Sequence, residues 1–87
     1  MLAASTPIQN LPNLGEKSAR VLKVIGIHTV GDLLEVTPLE AFRRLRFVGE
    51  RPSIVLLWAM VAGLRGDHWQ SVSAEEKAQL RAALEAG

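Results

Sequence analysis

The chain has 87 residues, of which 48% are hydrophobic and 22% charged, with a formal net charge of +1. These values describe one small globular domain and argue against a disordered chain or a polybasic or acidic tail. Cysteine is absent, which excludes a disulfide scaffold, a thiolate metal site, a cysteine nucleophile and a thiol redox switch.

In chain order, Met1-Leu-Ala-Ala-Ser-Thr-Pro7 has no basic segment followed by a long apolar run, so it does not read as a secretory signal. Residues 1–9 are expected as an extended or flexible arm on a single domain spanning 1–87. A first helix is expected over residues 15–25, with Ala19, Leu22 and Ile25 at helical spacing. Gly26 follows at once, where a left-handed residue would satisfy the last carbonyls. Thr29-Val-Gly-Asp32 reads as a capping box that opens a short helix over residues 30–35.

Thr37-Pro-Leu-Glu40 is a second such start, with proline at the first helical position and glutamate at the third. Leu39, Phe42 and Leu45 then form an apolar stripe. A fourth helix is expected from Pro52 to about Gly66. Its apolar run, Ile54 to Leu64, is well short of the ~17 residues a membrane span needs, so it reads as the central core helix. Ser73-Ala-Glu-Glu76 is a third capping box, opening a last helix with Leu80 and Leu84 facing inward. Val, Ile and Thr nowhere alternate with polar residues over a strand length. The expected fold class is all-α, about five short helices around one core, with Trp58 and Trp69 contributing heavily to that core.

Residues 11–34, LPNLGEKSARVLKVIGIHTVGDLL, carry the most information. A turn, L-P-N-L-G, leads into a helix bearing K-S-A-R, and that helix ends in G-I. This segment resembles the second half of a helix-hairpin-helix unit, a small DNA-binding module. The resemblance implies that bare amides of the turn and of the next helix's first turn hold a DNA phosphate. A helix N-terminus supplies free N–H groups and the positive dipole end, and glycine permits close approach. Asn13 stands where many such hairpins have glycine, and asparagine tolerates left-handed dihedrals better than most residues. Glu16 sits where a phosphate would approach and repels one.

The same segment continues into Ala41-Phe-Arg-Arg-Leu45, Pro52-Ser-Ile-Val-Leu-Leu-Trp58-Ala and Gly66-Asp-His-Trp69. In this order and spacing, over about residues 9 to 86, the chain resembles the C-terminal domain of the TfoX/Sxy family. The resemblance implies a helix-hairpin-helix or SAM-like orthogonal bundle. It also implies a cytoplasmic, non-enzymatic regulator related to natural competence and DNA transformation. No cofactor is expected. Full-length members carry an N-terminal domain before this one, and none is expected within these 87 residues.

Two kinds of partner stay open at this point. Double-stranded DNA would be held by its phosphates, without base reading, through Asn13, Gly15, Lys17 and Ser18, with Arg20 next. Lys17, Arg20 and Lys23 fall at three-residue intervals and form either a phosphate track or an ordinary solvated face. Arg43, Arg44, Arg46 and Arg51 are the densest cations, a patch for an acidic protein partner or for DNA, with Glu40 and Glu50 near enough to neutralise them. Helical spacing sends Arg43 and Arg46 to one side and Arg44 to another. Transcription machinery proteins or a second copy are the protein partners this patch would serve.

His28 and His68, with Asp32 and Asp67, show no recognised metal spacing, so no metal is expected. No catalytic motif is present, and no membrane or small-molecule substrate is expected. Trp69 is expected to close the core from a loop, with an exposed recognition role as the alternative.

Overall fold

The computed structural model describes residues 3–86. Five α-helices form in chain order: α1 (Glu16–Lys23), α2 (Val30–Val36), α3 (Pro38–Phe47), α4 (Ile54–Leu64) and α5 (Ala74–Ala86). Single 3-10 turns at Ile8–Asn10 and Trp69–Ser71 complete the set. Among the described residues there is no strand, only an isolated antiparallel bridge between Pro7 and Thr29. The all-α reading is therefore correct, within an envelope of 30 × 28 × 21 Å.

Local chemistry fixes the helix ends. Gly26, at φ 82, turns the chain out of α1, and the Ile27 N–H donates back to the Leu22 carbonyl at 3.1 Å. A left-handed residue here lets the orphan carbonyls of the last turn find donors. The Thr29 box is complete. Thr29 Oγ1 accepts from the Asp32 N–H at 3.2 Å, and Asp32 Oδ2 accepts from the amides of His28 (2.9 Å) and Thr29 (3.2 Å).

The other two boxes are half-built. Thr37 and Ser73 accept from the amides of Glu40 and Glu76, as expected. The carboxylates do not return the bond. Glu40 pairs with Arg44 at 3.0 Å and with Arg43 at 3.8 Å, and Glu76 pairs with Arg65. A guanidinium within reach competes successfully with a backbone amide for a charged acceptor.

Thr37 serves two helices at once. Its N–H donates to Leu33 at the end of α2, and its carbonyl accepts from Ala41 in α3. The joint holds Thr37 at φ 79, ψ 148, a region that costs of order 1–3 kcal/mol for a residue with a Cβ. The cap and the two backbone bonds offset that cost.

Helix α4 is as buried as its composition requires, with Leu57, Trp58, Ala59, Met60, Ala62 and Gly63 all inside. It is not the hub, however. Helix α3 packs against α1, α2, α4 and α5, through Ala41, Phe42 and Leu45. Leu80 and Leu84 of α5 are half-buried against the core. Of the arm expected over residues 1–9, residues 1 and 2 lie outside the described residues, and the chain is tied down from Ala4 onward. The Ile8 N–H donates to His28, and Thr6 and Ala4 accept from Val30 and Gly31. Ile8 itself is fully buried.

Candidate nucleic-acid interface

The L-P-N-L-G turn is shaped from within. Leu11 and Leu14 are buried and anchor its two ends, leaving Pro12 and Gly15 exposed. Asn13 lies at φ 71, the left-handed conformation that asparagine was expected to tolerate. Its side chain does not face solvent for a ligand. Nδ2 donates to the carbonyls of Asp67 (2.8 Å) and Ala59 (3.5 Å), and Oδ1 accepts from the Trp69 N–H at 3.1 Å. Asn13 is a latch between the hairpin and the α4–α5 connector. Trp69, half-buried and stacked on His68 with ring centroids 5.7 Å apart, closes the core beside it.

Gly15 is the N-cap of α1, in extended conformation, and no side chain caps this end. The amides of Glu16, Lys17 and Ser18 donate to no group of the described chain. Among the described residues, every other α-helix start has a side-chain oxygen accepting one of its first amides. The start of α1 is thus the one left open to an outside acceptor among the described residues.

Around it the cations are distributed unevenly. Lys17 is exposed and Ser18 half-buried, and both line a groove of about 320 Å³ with Val21, Glu50, Arg51, Pro52, Ser53 and Leu56. That groove joins the start of α1 to the start of α4. Arg20 and Lys23 line a different groove, with Gln9 and Asn10. Arg20 also pairs with Glu16 at 3.2 Å. Both side chains are largely exposed, so the pair adds little stability, but it counters the carboxylate that would repel a phosphate.

The arginine cluster divides as well. Arg43 turns inward: one terminal nitrogen donates to the Ala83 carbonyl, and Nε is buried without a partner among the described residues. Arg44 is held by Glu40. Arg46 and Arg51 make no ion pair with a described carboxylate and share a second groove with Arg81. Sequence reasoning missed Arg81, whose guanidinium lies 5.5 Å from the Trp58 ring centroid. It also missed the exposure of Phe47 (91%), Val24 and Val48, which line one shallow groove beside Arg43 and Arg44.

Among the described residues, no group of three or more His, Asp or Glu side chains converges as a metal site would require. No helix is long and apolar enough to cross a membrane.

Among the described residues, then, this is a small helical domain in which one α-helix start, that of α1, has no side-chain cap and is flanked by cations. Residues 4–84 match the model of the TfoX C-terminal domain, and the chain belongs to that family. Membership makes it a competence-related regulatory domain. No curated protein and no solved structure matches the chain.

Proposed function

We propose that this domain acts without chemistry of its own, by holding duplex DNA through the phosphate backbone at the start of α1. The observation that carries this reading is the conjunction there of three unpartnered amides with Lys17, Ser18 and Arg51 in one groove. Amides and a helix dipole recognise phosphate without regard to base, and the cations supply the counterion-release term that dominates affinity. Gly15 contributes backbone access, and Ser18 a hydroxyl donor. Arg20 has a secondary role, because Glu16 holds it. Asn13 acts indirectly, by fixing the turn.

The test is the affinity of Lys17→Glu for a short duplex over a range of salt. The variant is expected to weaken binding to every sequence about equally and to lower the salt slope by about one unit. Unchanged affinity in a folded Lys17→Glu protein would remove the α1 start as the contact.

A second reading, docking on a transcription protein or on another copy of the domain, is favoured by the apolar groove around Phe47. A phenylalanine 91% exposed, with Val24 and Val48 beside it, is the kind of contiguous apolar surface that a partner covers. Phe47→Ser leaves the core intact under either reading. It is expected to abolish concentration-dependent association in sedimentation if the partner is a second copy.

A further inference from the structure

Two grooves of this molecule share a wall. The first is the groove of Lys17 and Ser18. The second, of about 550 Å³, runs between α3, the start of α4 and α5, over a floor that includes Phe42, Ile54 and Leu84. Glu50, Arg51 and Pro52 line both. Arg46 from α3 and Arg81 from α5 line the second only. We infer that the phosphate-binding surface continues from Lys17 past Arg51 to Arg46 and Arg81, so that one DNA strand is held at successive phosphates rather than at one. The inference rests on the DNA reading given above and extends it.

Three features support the extension. First, these cations are uncommitted. Arg20, Arg43, Arg44 and Arg65 each pair with a glutamate, whereas Lys17, Arg46, Arg51 and Arg81 pair with no described carboxylate. Second, two of the guanidiniums are held in place. Arg46 lies 5.9 Å from the ring centroid of Phe42, and Arg81 lies 5.5 Å from that of Trp58. Both rings belong to the buried core. A guanidinium resting on a fixed aromatic face loses less rotamer freedom when it takes a phosphate, and its planar fork suits that acceptor.

Third, the charge is concentrated. The two grooves carry four cations against Glu50 and Glu85, an excess of two in a chain whose formal net charge is +1. The remainder of the molecule is therefore slightly acidic, and a polyanion is steered to this side. The larger groove is open to solvent along one side, which suits a backbone running across it better than an enclosed small anion.

The experiment is duplex binding by fluorescence anisotropy over a salt series, with wild type, Lys17→Gln, Arg46→Gln, Arg81→Gln, Arg81→Lys and Glu85→Gln. Near-ultraviolet dichroism of each variant reports whether Trp58 remains packed. Arg46→Gln and Arg81→Gln are each expected to weaken binding several-fold and to lower the salt slope by about 0.9. Arg81→Lys keeps the charge and should keep the slope. Glu85→Gln removes a repelling carboxylate and should tighten binding at low salt. Inorganic phosphate at matched ionic strength should compete poorly; efficient competition would indicate a free-phosphate site and overturn the extended track. If Lys17→Gln loses affinity while the Arg46, Arg81 and Glu85 variants bind like wild type, the extension is wrong and the α1 site stands. If wild type binds no duplex at low salt, the DNA reading fails and the extension with it.

Discussion

The side-chain oxygen of Asn13 accepts the backbone N–H of Trp69 at 3.1 Å, across 56 positions of sequence. The same side chain donates to Asp67 at 2.8 Å. One amide thus joins the hairpin that opens the domain to the connector that precedes its last helix. The left-handed backbone of Asn13 aims the side chain inward, and the Leu14 N–H closes the turn on the Leu11 carbonyl at 3.1 Å, while the amides of Glu16, Lys17 and Ser18 beyond it find no partner among the described residues. A single residue therefore sets both the fold of the turn and the presentation of the α1 start.

Asn13→Gly separates these roles. Glycine keeps the φ of 71 without strain but loses the latch. We expect the variant to fold and to be destabilised by about 1–3 kcal/mol, the usual range for leaving such groups unpaired. Chemical denaturation measures it. A variant as stable as wild type would mean the latch contributes nothing net.

Gly63 lies where α4 packs against the hairpin. A Cβ built there would stand 2.6 Å from the Pro12 carbonyl oxygen and 3.2 Å from the Leu11 side chain. Backbone cannot yield as a side-chain tip can. Gly63→Ala is expected to cost about 1–3 kcal/mol through overpacking, despite alanine's better helix propensity. A stabilised Gly63→Ala would show that α4 and the hairpin sit farther apart.

Trp58 is 3% exposed, with Lys77 and Arg81 over its ring. Trp58→Ala is expected to unfold the domain or to cost about 3–5 kcal/mol. Only a small shift in the thermal midpoint would mean that α4 is not a principal element of the core.

Asp32 predicts an acid limb to the stability profile. The His28 amide holds its carboxyl below the usual 3.8; desolvation, next in size, opposes it, and the Thr29 amide and hydroxyl add to the lowering. A depressed native pKa means the contribution is fully present above the unfolded value. It is lost as pH falls from about there through the lower native value. Asp32→Asn is expected to remove this limb, so that wild type and variant converge in stability at low pH and separate near neutrality. Parallel profiles for the two proteins down to acid pH would contradict the capping role.

The helices were legible in the sequence because their signals are local. Thr29, Thr37 and Ser73 cap helices within three residues of themselves, and Gly26 ends α1 within the same turn. What the sequence did not show depends on long-range geometry. Asn13 finds its partners 46 to 56 positions away. Arg81 reaches the ring of Trp58 only once α5 has docked. The arginines between 43 and 51 read as one cluster, but Glu40 takes Arg44, Arg43 turns toward Ala83, and Arg51 leaves on the α3–α4 connector. Glu40 and Glu76 fit the box pattern, yet a nearby guanidinium is the stronger donor.

The open start of α1 was legible as a motif. Its cation from the α3–α4 connector was not, because Lys17 and Arg51 come to line one groove only in the folded chain. The most direct test of phosphate binding at that groove is an NMR titration of labelled protein with a short generic duplex at low salt, repeated at higher salt. Shifts are expected in the amides of residues 13–20 and of Arg51, shrinking as salt rises. Absence of shifts at low salt would contradict phosphate binding there, leaving the domain as an adaptor for a protein partner.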